Sequence, residues 1–449
     1  MHKGLKIAII LAVPTLAVAG LGIWAASIWV DYPWASRKLD ATVAESRKLG
    51  LPWVASDLDP HPSIPDTENA GPELMKACRI IGSGKLSVRK AQAEFKKGDP
   101  TLVRQCLSQY GMAIRAAESA SSKPRCHIER DYDLGPNLLL PEYSRWKDIV
   151  TLLSIRAQMR SKSGDLAGTL SDIRTMGAIA KQAGADPLLI GMLVQVAMES
   201  IRVRSVESIA ANWKSDPAKL ERLRQATEKQ RPETDFVGAL RGEVYMAIAL
   251  FRNWEAFGGV RFLAGPEGSL PEVDPTKIQR DGMPKGMVAR GYLTRSLEYW
   301  NAVFESIRDG LNDPVQLSKR MDQLAARFVK LPGLSYKPNA ILMPVFGQAG
   351  IACARMDALQ RATDAFLRVM VFRAKNGEYP SSLEDLGFRE VDPFSNQPFH
   401  YSHASSSCRI YSVGTDGRDD GGVTRAERAR GKQTSDRYDE AIAYPPIKL

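Results

Sequence analysis

The sequence predicts a mainly α protein with a small α+β module at its C-terminal end. Three observations predict it. An uncharged apolar run occupies residues 7–30. Apolar residues then recur at helical spacing through most of 72–376. Strand-like alternation is confined to the end of the chain, in FHYSH, CRIYSV and EAIAY. With 449 residues, 44% hydrophobic and 25% charged, the chain can bury a sizeable core and fill two domains. Its net charge of +10 would favour an acidic membrane surface or polymer. The basic residues are spread along the chain and no nucleic-acid motif accompanies them, so no nucleic-acid partner is expected.

Residues 1–34 read as a transmembrane signal anchor. The run IAIILAVPTLAVAGLGIWAASIWV spans about 36 Å as a helix, enough for a hydrocarbon core of about 30 Å. Lys3 and Lys6 precede it and favour a cytoplasmic N-terminus. Trp24, Trp29, Tyr32 and Trp34 lie at its outer end, where aromatic rings prefer the interface. The alternative is a cleaved signal peptide, with Ala17-Val18-Ala19 before Gly20. The apolar run continues past that site, which is long for a signal core. Either reading sends the bulk of the chain out of the cytoplasm. The expected location is the inner (cytoplasmic) membrane, single-pass, with most of the protein on the periplasmic side.

Residues 35–71 read as a linker, because DLDPHPSIPDTENAGPEL is rich in Pro and Asp. A helical domain, a bundle or an array of helical hairpins, is expected over 72–340. Its first helix opens at Pro72, with Asn69 or Gly71 as cap. WKDIVTLLSIRAQMRSKSGD places Ile149, Leu152, Leu153, Arg156 and Met159 at helical spacing and stops at Gly164. Helices follow through DLAGTLSDIRTMGAIAKQAG, then from Pro187 through Trp213, then from Asp216 and through ETDFVGALRGEVYMAIALFRNWEAF. Short connections favour antiparallel neighbours. Residues 258–292 are rich in Gly and Pro and read as a long loop, either a lid or an exposed insertion. KLPGLSYKPNAILMP, residues 330–344, is a candidate boundary.

The module at 345–449 begins with a helix to about 376, carrying Met356, Leu359, Thr363, Phe366 and Met370 on one face. Asn376 and Gly377 stop it. SSLEDLG reads as a short capped helix and DPFSNQP as a turn. Two strands joined by Ala404–Ser407 follow, with EAIAY, residues 440–444, as a third.

KNGEYPSSLEDL, DPFSNQPFHYS and YSVGTDGRDDGG, in that order, resemble the globular domain of the major pseudopilins of bacterial type II secretion systems. That family shows an NGxYP turn, a DPWGxPYxY turn and strand, and a YSxGxDG loop. The resemblance covers about the last 100 residues. A pseudopilin starts with its helix directly after a peptidase site; here roughly 300 residues separate the apolar run from the module. The whole layout looks more like a group of uncharacterised single-span bacterial envelope proteins. In the pseudopilins the loop before the last strand binds calcium. The resemblance implies calcium held by Asp416, by Asp436 or Asp439, and by carbonyls near Val413, with Asp419 and Asp420 in the same acidic loop. Against this, residues 414–438 carry six basic and five acidic side chains. Thr424 and Glu427 also form a capping box that could order the loop as a short helix without metal.

Elsewhere, His127, Glu129, Asp131 and Asp133 gather in HIERDYD and are weighed as a metal or acid–base cluster against a solvated acidic loop. Cysteines 78, 106, 126, 353 and 408 form neither a disulfide framework nor a zinc pattern. Export would permit Cys78–Cys106 or Cys353–Cys408 bridges; buried thiols are the alternative. No nucleophile, zincin or P-loop motif is present. The sequence therefore favours a membrane-anchored envelope protein with a structural or protein-interaction role. Two alternatives stand beside it: a secretion or pilus apparatus component with a calcium-stabilised module, and an envelope hydrolase with its site in the helical domain.

Overall fold

Aspartates fix where many of the helices start. Asp165, Asp216 and Asp313 accept the backbone N–H groups of Gly168, Lys219 and Gln316 at 2.8, 3.0 and 2.8 Å. They open the helices Leu166–Ala183, Pro217–Lys229 and Pro314–Val329. Each such cap contributes about 1 kcal/mol. Gly164, at φ 84°, closes the helix Glu142–Ser163 as its position predicts. The computed structural model describes residues 30–259, 273–331, 335–430 and 439–446. The apolar run, apart from Val30, and Asp436 lie outside the described residues. Among the described residues no helix is long and apolar enough to cross a membrane. The architecture is mainly helical, with one small antiparallel sheet near the C-terminus.

The chain divides into two units, each assembled from separated segments. The first comprises Met1–Asp59, Arg130–Leu139 and Leu240–Gln348. Its described centre is the helix Tyr32–Lys48 laid along the helix Met287–Arg308. Tyr32, Ala35, Leu39, Val43 and Ser46 are buried at helical spacing. Residues 32–48 were expected to belong largely to a linker; they form a helix because this stripe is present. The Pro and Asp residues that signal extended chain come later, from Pro52 onward. Gly291 permits the close approach of the two helices, since a Cβ there would lie 2.9 Å from the Tyr32 ring. Trp254, Phe251 and Tyr292 pack as an aromatic group beside this pair.

The second unit comprises Pro60–Glu129, Leu140–Ala239 and Ala349–Leu449. Its core runs without a break from Leu74, Trp146, Ile173 and Val206 to Phe366, Met370, Ile410 and Ile442. The C-terminal module thus shares its core with the helices of residues 71–229, a grouping different from the 72–340 and 345–449 division. The expected boundary at 330–344 is crossed by a helix, Lys337–Asn376. Pro338 falls in that helix's first turn, where a missing N–H costs nothing. The strands β1 (His400–Ala404), β2 (Ser407–Ser412) and β3 (Glu440–Tyr444) pair in the order β1-β2-β3. Ala404 faces Ser407 across a two-residue turn, and Ile410 faces both Tyr401 and Ile442.

All five cysteines are buried thiols, so neither suggested bridge forms. Cys353 packs against the Met192 sulfur at 3.1 Å. Cys78 sits against the Glu142 carbonyl. Burial pushes the Cys78 and Cys353 thiols up to about 12 and Cys408 to about 11.

Candidate functional site

The second unit brings the three C-terminal motifs together around buried carboxylates. Asp392, from DPFSNQP, is fully buried. It accepts the Phe394 N–H at 3.0 Å within its own turn, and the Ser412 hydroxyl and Val413 N–H at 2.8 and 3.1 Å. One side chain therefore ties the turn before β1 to the end of β2. Tyr401 joins the first motif, KNGEYPSSLEDL, by donating to the Pro380 carbonyl at 3.2 Å.

Asp439 repeats the device at the far side of the loop. It too is fully buried. Its Oδ2 accepts the Asp420 and Gly422 N–H groups at 3.0 and 2.7 Å, and its own N–H donates to the Val423 carbonyl at 2.9 Å. Gly422 must be glycine here: its φ is 76°, and a Cβ would lie 2.5 Å from Arg409 and 2.8 Å from Tyr411. Burial raises the Asp439 carboxyl to about 6, with the nearby Asp420 and Asp419 charges adding to the rise against the two N–H groups.

The capping box forms as expected. Glu427 accepts the Thr424 N–H at 2.9 Å while the Thr424 hydroxyl accepts the Glu427 N–H at 3.3 Å, opening the helix Arg425–Arg430. Burial would raise the Glu427 carboxyl, but Arg409 at 2.7 Å and the Thr424 bonds outweigh it and hold it low. Arg428 pairs with Asp420 at 3.0 Å, and His400 lies 3.4 Å from Asp419. Arg428, one of the basic residues that cancel the loop's charge in the sequence, thus helps hold it in place, together with Arg409 from β2.

These residues fit a calcium ion only in part. Asp420 Oδ2 and Asp439 Oδ1 are buried oxygens without a hydrogen-bond partner, the kind of acceptor a cation satisfies. Asp416 does not join them: it is exposed and caps its own turn by accepting the Arg418 N–H at 3.1 Å. Asp419 likewise accepts the Gly421 N–H at 2.8 Å. Among the described residues no group of three or more His, Cys, Asp or Glu side chains could hold a metal ion.

The HIERDYD residues separate in role. Glu129 is exposed. In the first unit, Asp133 is buried and accepts a hydrogen bond from the Tyr245 hydroxyl, while Arg280 pairs with both Asp131 and Asp133 at 2.7 and 3.2 Å. Arg252, also buried, donates to the Arg280, Gly282 and Trp53 carbonyls at 3.0, 3.1 and 2.7 Å. Asn253 accepts the Gln279 N–H at 2.7 Å. The described end of the 258–292 loop is therefore pinned by charge and backbone bonds. In the second unit, a cleft of about 590 Å³ is walled by Arg125, Lys181, Gln182, Arg231, Glu233 and Asp235. None of the HIERDYD acids lines it.

Sequence reasoning missed two structural carboxylates, Asp392 and Glu207. Asp392 was visible only as part of a turn. Glu207, buried in the helix Leu189–Asn212, accepts the Ala443 N–H of β3 at 3.0 Å, a long-range contact no local pattern announces. No known family, curated protein or solved structure matches the chain.

Proposed function

We propose that the protein is a membrane-anchored envelope protein that displays the helical units and a pilin-like C-terminal module outside the cytoplasm, where the module binds a protein partner. The anchor reading is supported by the uncharged run at 7–30 followed by an ordinary globular composition. The partner reading rests on the unequal edges of the sheet. The β3 edge is closed by Glu207 and by Arg204, which reaches the Ala441 carbonyl at 3.4 Å. β1 has β2 on one side and no further strand on the other among the described residues, and Ser402, His403 and Ala404 are exposed. An open edge next to a closed one is a site for strand addition by an extended segment of another protein.

The test is photo-crosslinking in cells from a reactive residue at Ser402. With Ala404 opposite Ser407, the His403 N–H points away from β2, so His403→Pro removes an outward donor. A discrete adduct that survives His403→Ala and is lost in His403→Pro supports the reading; no adduct, or one indifferent to proline, sinks it. Topology is checked by a periplasm-active reporter fused after residue 60, which should be active.

A second reading places the protein with a secretion or pilus apparatus, its module stabilised by calcium. The buried, unpartnered oxygens of Asp420 and Asp439 favour it. Calcium would then bind Asp439 and Asp420 and would supply the positive charge those buried oxygens lack. Co-purification with secretion-platform subunits tests the association.

A further inference from the structure

We infer that the N-terminal end of the helix pair in the first unit is a membrane-contact surface that rests on anionic phospholipid headgroups. The inference depends on the anchor reading and extends it to residues far from the anchor in sequence.

The two helices run parallel. Tyr32 bonds Tyr292, Thr294 bonds the Ala35 carbonyl, and Ser46 bonds Asn301, at sequence offsets of 260, 259 and 255. Rising residue numbers on one helix thus go with rising numbers on the other. The N-terminal end of Met287–Arg308 therefore lies at the end of the pair where the apolar run stops, Val30 matching the height of Arg290 and Met287 standing nearly one turn further out. Both helices present apolar side chains at this end: Val30 is 65% exposed, Trp34 41% and Met287 37%. Large apolar groups exposed together at one end of a helix pair need a cover, and the uncharged run ending at Val30 says which one.

The charges around them match a headgroup layer. Arg37, Lys38 and Lys285 are exposed. Lys38 stands over the Trp34 ring at 3.8 Å, an aromatic and cation pair suited to the interface. The first acid after the apolar run, Asp31, is already satisfied: Arg295 pairs with it at 3.2 Å, and the Ser335 N–H and hydroxyl donate to it at 3.0 and 2.9 Å. Arg295 is itself held between the Trp34 and Tyr336 rings. Asp40 is drawn to Arg290 at 3.8 Å. The end is left with unmatched positive charge, which anionic phosphates complement.

The test uses the full chain in phosphatidylcholine vesicles, with and without phosphatidylglycerol. A bimane fluorophore is placed at Met287→Cys and, separately, at Lys285→Cys; the control is Asp309→Cys at the opposite end of the same helix. The native cysteines are buried and should not label. Lipids carrying a nitroxide near the headgroup should quench the first two probes roughly twofold or more over the control, and more strongly with the anionic lipid. Vesicle flotation reads the anchor independently. A protein that floats but is quenched only by aqueous iodide overturns the surface and spares the anchor. A floating protein shielded from both quenchers has a protein on this face, which also overturns it. A protein that fails to float removes the anchor and this inference together.

Discussion

The Asp392 carboxylate accepts the Val413 amide N–H at 3.1 Å, joining residues far apart in the module. It also holds Phe394, Ser395 and Ser412. Removing a buried acceptor of this kind strands several donors. Asp392→Ala should destabilise the second unit by about 3 kcal/mol or more, and Asp392→Asn by less, because the amide keeps one acceptor. Chemical denaturation followed by circular dichroism gives both numbers; equal, sub-kilocalorie losses would show the bonds to be dispensable.

Asp439 should give the loop a dependence on pH. Its folded value, about 6, lies above the ordinary carboxylate value, so its favourable contribution is complete below about pH 4 and is lost as pH rises through about 6. On this account the unit is roughly 2–3 kcal/mol less stable at neutral pH than in mild acid. Asp439→Asn should flatten that slope and raise neutral stability. If calcium binds here, millimolar calcium should raise the melting temperature of the native protein at neutral pH and leave the variant unmoved. A calcium response equal in both proteins would exclude Asp439 as a ligand.

Arg280 should hold down the described end of the 258–292 loop. Its bond to half-buried Asp131 is worth little because Arg280 itself is exposed, but its bond to buried Asp133 is made where water competes less. Arg280→Ala should cost about 1–2 kcal/mol locally and speed amide exchange across residues 273–286 by about tenfold or more. Unchanged exchange there would assign the pinning to Arg252 and Asn253 alone.

The cysteines should be inert in the native protein. With thiols pushed to about 12 at Cys78 and Cys353 and no cysteine exposed, an aromatic disulfide reagent should find almost nothing before denaturation and all five thiols after it. A cysteine that reacts rapidly in the folded protein would contradict its buried placement.

What the sequence revealed followed the reach of each signal. Caps and stops are local, so Asp216 and Gly164 could be read directly. The three strands and the Thr424–Glu427 box were legible for the same reason. The helix Tyr32–Lys48 was overlooked because the turn residues beyond it dominated the stretch, although Leu39 and Val43 carried its stripe. Partnership across the chain was beyond reach. Nothing near Arg280 points to Asp133, and nothing near Glu207 points to β3. Counting charges in the acidic loop gave its neutrality, but not that Arg409, Arg428 and Asp439 would hold it in place.

The pairing of Tyr32–Lys48 with Met287–Arg308 also sets a schedule for synthesis. The first helix leaves the ribosome about 240 residues before its partner. At roughly 5–20 residues per second, its buried stripe must wait on the order of 10–50 s for a mate. During that interval the early helices of the second unit emerge. Truncation or stalling between the two helices would leave Leu39 and Val43 uncovered, and such nascent chains should depend on holdase chaperones that the finished protein does not need.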